Sequence, residues 1–396
     1  MSNEASPYSF DTVIDRRGTN CSKWDDYPCS IKAPDMLPMW TADMDFACPP
    51  AIMKALQRRL SHPVFGYYTL PSRYQQSIIH WQKERFGCSI CEEDIVPVSS
   101  VLGGVSMAIQ AFTEKGDAIL VPTPGYHAFF HAIANNERRL VRSPLLRNGD
   151  QFQMDFARME EQIRTEQVKM VVFCSPHNPT GRVWTEEELS QLVDLCNQYN
   201  VCLLSDEIHA DMTLKVPFIP MLKIANPRVE KVAIALYAPT KTFNIAGLCT
   251  AYAIIKDRDR RERFQKAIFA SGLKVKNTLG LEALMTGYEQ CGAWVDDLRC
   301  YLLANAEFAV DFIRSELPCL HAYVPEATYF LWLDFSGTGL DQDAFMDKLS
   351  REAHLVVNRG DEFLDGGERC VRIVCACPRA QLAEALERIK KVFTEG

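Results

Sequence analysis

A lysine just beyond an apolar β-type run is the residue of this chain best placed for covalent chemistry. Val232–Tyr237 reads as a buried strand, and YAPTKTFNIAGL (Tyr237 to Leu248) sets Lys241 between two threonines immediately after it. Taking an ammonium out of water disfavours its charge and lowers its pKa. A neutral amine is the form that condenses with a carbonyl to a Schiff base. A lone lysine in such a place is more often an ordinary turn residue. Two polar stretches upstream shift the balance: CSPHNPTG, ending at Gly181, and SDEIHAD, ending at Asp211.

The elements that must position these residues alternate in type. Strands are expected at Ile95–Val98, Ala118–Val121, Leu140–Pro144, Val168–Cys174, Val201–Ser205, Val232–Tyr237 and Ala251–Ile255. Helices are expected from Pro50 through Leu60, from Ser72 as N-cap to about Phe86, after SSVLGG to Phe112, and over Gly125–Asn135. Another starts at Thr185, where three glutamates in the first turn make a capping-box pattern. Helices dominate from Arg258 to Glu316. Residues 1 to about 47 read as irregular, with Pro28, Pro34 and Pro38 as breakers. The tail repeats a smaller α+β pattern, with strands near Leu320, Phe330, Val356 and Val371 and helices near Asp341–Glu352 and Arg379–Phe393. Alternation of this kind argues for an α/β fold with a mainly parallel sheet. In such sheets ligands bind at the carboxyl ends of the strands. SSVLGG, PTPGYHAFF, SPHNPTG, DEIHAD and TKT all follow strands. Any one of them reads as an ordinary strand-end turn; five together read as the wall of a cofactor pocket.

Composition narrows the class further. The 396 residues are 47% hydrophobic and 24% charged, enough for a large core and more than one domain. A net charge of −8 with no basic tract argues against a nucleic-acid partner. The DRDRRERF run from Asp257 is mixed in sign and reads as the solvated face of a helix. MSNEASPYSF has no basic head and apolar core, and no apolar run reaches the ~20 residues of a membrane span. A cytoplasmic protein without membrane contact is expected. The fifteen cysteines then read as reduced thiols packed as small hydrophobes. The pairs Cys88/Cys91 and Cys375/Cys377 lack the spacing of a zinc site, so no metal is expected.

Taken in order, the motifs resemble those of the fold-type I pyridoxal-phosphate enzymes of the class I/II aminotransferase superfamily. More narrowly, the chain is similar to the cystathionine β-lyase / carbon–sulfur lyase branch, the MalY- and cystalysin-like enzymes. The likeness runs from MWTADMDF around Trp40 to VRIVCACPR around Arg372. It implies an aspartate-aminotransferase-like α/β fold, with a large domain built on a mainly parallel seven-stranded sheet plus a smaller α+β domain. The implied division is an N-terminal arm (1–47) belonging to the small domain, a large pyridoxal-phosphate-binding domain (48–290) and a C-terminal small domain (291–396). It implies pyridoxal 5'-phosphate carried on Lys241, which also moves the Cα proton. Asp206 pairs with the pyridine nitrogen, Asn178 donates to the phenolate oxygen, and Tyr126 stacks on the ring. The phosphate lies on the Val101 and Leu102 amides at a helix N-terminus, with the Thr240 hydroxyl and Tyr67 of a partner subunit; the site is thus shared across a homodimer. Arg372 grips the substrate α-carboxylate as a bidentate pair.

Departures from the aminotransferase pattern move the expectation toward the lyases. His209 stands where many relatives have a tyrosine beside the cofactor, Cys249 where many have a phosphate-binding arginine, and Ala238 where a serine is frequent. The sulfur-lyase branch shares the histidine and lacks that arginine. The expected activity is β-elimination from L-cystathionine, L-cysteine or a related S-substituted cysteine. An aminotransferase on the same fold is the alternative. A regulatory, protein-binding role, known for at least one relative, would need a surface patch independent of Lys241, and no motif for one is visible.

Overall fold

The computed structural model describes residues 8–29, 31–272 and 276–394. Met1–Pro7, on which the expectation about an export signal partly rests, lie outside the described residues.

The central element is a seven-stranded sheet. In spatial order it runs Ile95–Val98, Ala251–Ile254, Ala233–Tyr237, Cys202–Asp206, Val168–Cys174, Ala118–Thr123 and Arg139–Pro144. Every pairing is parallel except the two made by Ala251–Ile254. Side chains alternate across a strand, so a sheet covered on both faces needs near-continuous apolar runs. Two cores result. Ala118, Leu120, Val171, Phe173, Leu203, Ala235 and Tyr237 face one. Ile119, Val121, Met170, Val172, Leu204, Ile234 and Leu236 face the other. The first is closed by helices that include Pro50–Leu60, Ser72–Phe86, Glu186–Gln198 and Thr278–Gln290, the second by Val101–Phe112, His127–Asn135 and Arg258–Ala270.

A third core holds the smaller unit. An antiparallel sheet of His321–Ala322, Phe330–Asp334, Cys370–Val374 and Asn358–Arg359 packs against Gln342–Arg351 and Arg379–Thr394. The 25-residue helix Gly292–Glu316 serves both: Trp294, Val295, Leu298 and Leu302 join the first core, Ala309, Val310 and Ile313 the third. The N-terminal arm also divides, with Phe10, Met44 and Phe46 in the first core and Trp24, Leu37 and Met39 in the third.

Most element boundaries agree with the sequence-based reading, and the differences have local causes. Ser72 is the first helical residue, not the cap; Pro71 occupies the cap position without a side-chain bond. The helix expected from Gly125 begins at His127, because the Gly125 amide is bonded to the Phe363 carbonyl and Tyr126 is the N-cap. The arm expected to be irregular contains a helical turn, Ser22–Asp25. It also has a short parallel pairing of Leu37–Pro38 with Leu355–Val356, a contact 318 residues away in register. Unforeseen between Pro144 and Val168 are a hairpin, Leu146–Asn148 with Gln151–Gln153, and a helix, Phe156–Thr165, N-capped by Asp155. Eight cysteines are buried, as packed thiols should be, but Cys91, Cys249 and Cys300 are exposed.

Candidate active site

The sheet register gathers the chemistry onto one edge. Cys174 lies opposite Asp206, and Asp206 opposite Leu236, so the chain leaves three adjacent strands at the same level. Asn178 follows the first strand, Asp206 ends the second, and Lys241 follows the third on a four-residue helix, Pro239–Thr242, opened by proline. That helix is fastened below by the Thr242 hydroxyl, which donates to Asp211 at 2.7 Å.

A cavity of about 200 Å³ opens at this edge. Asn178, Asp206, His209, Tyr126, Thr240, Lys241, Val101 and Leu102 all line it, together with Ser99, Ser100 and Cys249. A larger cleft of about 850 Å³ lies elsewhere; Arg182 in its wall is paired with Glu188 and Glu326, and His321 bonds Asp150. The smaller cavity is the one with chemistry to offer.

Burial dominates its electrostatics. Loss of solvent pushes the Lys241 amine down to about 8; Asp43 and Asp206 pull against this and Arg372 adds to it. The amine donates to the Ala42 carbonyl. Burial likewise pushes Asp206 up to about 7, against the Ile208 amide that bonds it at 3.0 Å and the nearby Lys241. A cationic nitrogen placed beside Asp206 would restore its carboxylate form. His209 is buried, held neutral far below its usual range, and its Nδ1 has no hydrogen-bond partner. The Val101–Phe112 helix begins at the cavity wall, capped by Ser100, whose hydroxyl accepts from the Gly103 amide at 3.0 Å. Gly104 lets this helix sit close on the sheet: a Cβ there would meet Leu236 at 2.9 Å.

Arg372 is 2% exposed and surrounded by neutral acceptors. It donates to Asn178 Oδ1 at 2.9 Å, to Asn358 Oδ1 at 2.6 Å and to the Trp40 carbonyl at 2.9 Å. The Phe330 and Phe363 rings cover it, and its Nε has no partner. Burial pushes even this guanidinium down to about 10. Because arginine only donates, the Asn178 carbonyl must face Arg372, which leaves the Asn178 NH₂ for the cavity. Two other arginines near this strand are committed elsewhere: Arg359 to Asp361 and Asp343, Arg379 to Asn305.

Of the residues singled out in the sequence, Arg372 and Tyr67 do not line the cavity: Arg372 stands behind it, bonded to the lining Asn178, and Tyr67 is fully exposed in this chain. Sequence reasoning missed Ala42, Trp40 and Asn358. Asn358 meets Arg372 by cross-strand register, which no short-range signal reveals. The MWTADMDF stretch was visible, but without any element to attach it to the lysine. Among the described residues no three His, Cys, Asp or Glu side chains are grouped to hold a metal, and no helix is long and apolar enough to cross a membrane.

The donor set fits pyridoxal 5'-phosphate. An amine of lowered proton affinity, a desolvated carboxylate, an amide donor, an aromatic wall and a helix N-terminus surround one cavity, and His209 Nδ1 and Arg372 Nε are buried without partners. Comparison with known proteins points the same way. The chain is 36% identical over 390 residues, 98% of its length and all of the relative's, to cystathionine beta-lyase PatB of Bacillus subtilis. A pyridoxal-phosphate-bound putative aminotransferase from Clostridium difficile superposes with a TM-score of 0.94 at 37% identity, covering 98% of this chain and 100% of that one. A pyridoxal-phosphate-bound C-S lyase from Staphylococcus hominis gives a TM-score of 0.91 at 31% identity, over 98% of this chain and 99% of the other. The family model for aminotransferase class I and II matches residues 34–389; the chain belongs to that family.

Proposed function

We propose that this chain is a pyridoxal-phosphate-dependent carbon–sulfur β-lyase that cleaves L-cystathionine, L-cysteine or a related S-substituted cysteine to a thiol, pyruvate and ammonia. The observation that carries the reading is the gathering of Lys241, Asp206, Asn178 and the start of the Val101–Phe112 helix around one cavity, with Arg372 bonded to Asn178 and lacking a carboxylate partner. The lyase likeness of the relatives and the residues His209 and Cys249 favour elimination over amino transfer.

When bound, pyridoxal phosphate supplies a carbonyl for amines and a conjugated ring that accepts the electron pair released at the substrate α-carbon. Lys241 would hold it covalently, and Asp206 would keep a proton on the ring nitrogen. The Asn178 NH₂ would donate to the ring oxygen, and His209 and Tyr126 would bound the ring. The Val101 and Leu102 amides and the Thr240 hydroxyl would take the phosphate, where free N–H groups and the helix dipole favour an anion. Arg372 binds the substrate α-carboxylate and so fixes the direction of the Cα–H bond. The Lys241 amine, lying beside the cavity, would take that proton.

The Tyr67 hydroxyl is assigned to the phosphate of a partner subunit in a homodimer; its complete exposure here, beside exposed Val64 and Phe65, supports this. The division proposed is an arm (1–47), a large domain (48–290) and a small domain (291–396); the separate third core supports the small domain, while the arm and the start of the Gly292–Glu316 helix also pack on the first core.

The likeness to a putative aminotransferase keeps amino transfer as the second reading. Incubation with cystathionine decides between them. Pyruvate released without any keto-acid acceptor is the expected result; strict dependence on an acceptor makes the enzyme a transaminase. Borohydride reduction should fix the cofactor on the peptide containing Lys241, and labelling of another lysine would end the assignment.

A further inference from the structure

The stretch Met39–Phe46 belongs to neither helix nor strand, yet its backbone contacts both groups on which the proposed reaction depends. The Trp40 carbonyl accepts from Arg372 at 2.9 Å. The Ala42 carbonyl accepts from Lys241 and, at 3.1 Å, from the Tyr329 hydroxyl. Other backbone bonds of the stretch run to the small unit. The Met39 amide donates to the Val356 carbonyl at 2.7 Å, the Met39 carbonyl accepts from Val374 at 2.9 Å, and the Asp45 amide donates to Ala376 at 2.9 Å.

The loop that carries Lys241 holds the same stretch through Asn244. That side chain accepts from the Met44 amide at 3.0 Å and donates to the Met44 and Phe46 carbonyls, each at 2.8 Å. Arg16 shares the Met44 carbonyl at 3.1 Å, but it belongs to the arm itself. Asn244 is tied to the lysine helix on either side: the Phe243 amide donates to Pro239 at 2.9 Å and the Ile245 amide to Thr240 at 3.0 Å. Two demands select its residue type. Its backbone is left-handed, φ +55, which asparagine accepts more readily than most side chains. Its side chain accepts one bond and donates two, as a carboxamide can and a carboxylate or a hydroxyl cannot.

We propose that Asn244 is the positioning residue that sets the spacing between Lys241 and Arg372. It fixes Met44, two residues beyond Ala42 and four beyond Trp40. One side chain thus places both the carbonyl that holds the amine and the carbonyl that holds the guanidinium. The proposal rests on Lys241 being the cofactor lysine and Arg372 the carboxylate site. Those two residues share no element: one follows a strand of the seven-stranded sheet, the other lies within the small sheet. Elimination needs the substrate held at its carboxylate by one and reached at Cα by the other, so an error in spacing costs affinity and rate together. Packing of Met44 and Phe46 in the first core keeps the stretch nearby, but apolar burial is non-directional and does not aim its carbonyls.

The test compares two variants. Asn244→Gly keeps the backbone conformation and removes all three bonds. Asn244→Asp keeps the shape and the acceptor but turns an oxygen toward two carbonyls. Asp155→Ala, which uncaps a helix that contributes nothing to the cavity wall, is the control for plain loss of stability. In the loaded enzyme both Asn244 variants should raise KM for an S-substituted cysteine about tenfold, the size of one well-made hydrogen bond. The control should lower the melting temperature and leave KM alone. Hydrogen–deuterium exchange on the full chain freed of cofactor is the second measurement. Peptides over residues 39–46 should exchange about tenfold faster in Asn244→Gly, with those of Ala233–Tyr237 and Cys370–Val374 unchanged. A KM no higher than in the control, or faster exchange spread over those strands as well, would overturn the proposal and make Asn244 a residue of general stability. If Asn244→Gly does not fold, Asn244→Asp decides by the same two measurements. Failure of the underlying assignment is seen separately, as borohydride fixation on a lysine other than Lys241.

Discussion

The two ends of the site are built to meet negative charge by different means. At one end, next to the cavity-lining Asn178, stands a whole buried cation, Arg372, bonded to two asparagine oxygens and a carbonyl and covered by two phenylalanine rings. At the other, the Val101–Phe112 helix begins, and the position where many relatives carry an arginine holds the exposed Cys249. A buried guanidinium without a carboxylate is costly, and neutral acceptors offset only part of the cost. In the proposed role, a substrate carboxylate would complete its partners, so the energy recovered would appear when substrate binds. Helix-terminal N–H groups need no buried side-chain charge and suit an anion that stays. Under the proposed function, the contrast would separate a place for the anion that comes and goes from a place for the anion that remains.

The largest test of that separation is Arg372→Lys, which keeps charge and loses the two-pronged fork. The expected outcome is a fall in kcat/KM for carboxylate-bearing substrates of roughly 2–4 kcal/mol, with cofactor retention unchanged. Steady-state kinetics and the cofactor's absorbance after dialysis measure the two halves. Loss of cofactor in this variant would mean that the two ends are not independent.

The proposed reach of Tyr67 across a dimer comes next. Tyr67→Phe should weaken cofactor retention by roughly 1.5–3 kcal/mol, the range for a hydrogen bond to a charged group, and leave KM alone. A mixed dimer of Tyr67→Phe and Lys241→Ala chains should regain part of the activity, since one of its two sites would carry neither lesion. Mixed dimers that form but show no rescue would place Tyr67 outside the partner's site.

Ser100→Ala probes the helix end directly. Losing the cap bond to Gly103 should cost about 1 kcal/mol, divided between thermal stability and cofactor retention. Calorimetry with and without cofactor separates the shares; a variant that loses only substrate affinity would contradict the placing of the phosphate.

The gathering of Asn178, Asp206 and Lys241 around one cavity was legible in the sequence because each sits within a few residues of a strand end. Asn178, Asp206 and Lys241 follow apolar runs, and alternation of strands with helices puts such positions on one edge. The sheet itself was equally legible, since near-continuous apolar runs mark strands covered on both faces. What was hidden depends on contacts distant in sequence. Ala42 meets Lys241 across 199 residues, and Trp40 meets Arg372 across 332. Asn358 reaches Arg372 only through antiparallel register in the small sheet. The hairpin at Leu146–Gln153 escaped because five of its six strand residues are exposed and only Phe152 is buried, so it shows no buried run. Tyr67 was found by resemblance alone; nothing in this chain's own packing would have marked it.

The smallest effect belongs to Cys249→Arg, which installs at the second end the kind of group used at the first. Cys249 lines the cavity and is exposed, with φ +43, so the left-handed backbone is already borne by a residue that has a Cβ. The substitution therefore adds little new backbone strain. An added guanidinium here remains in water, where an ion pair contributes no more than about 1 kcal/mol and salt screens it. Cofactor retention should rise by at most about fivefold at low ionic strength, and the gain should vanish in molar salt, while KM for the amino-acid substrate stays fixed. Dissociation rates of the cofactor at the two ionic strengths give the measurement. A salt-resistant gain of much larger size would show that the phosphate end can bury a cation as Arg372 is buried, and the difference between the two ends would then lie in sequence alone. A loss of retention would show that the helix terminus already fills the space such a cation needs.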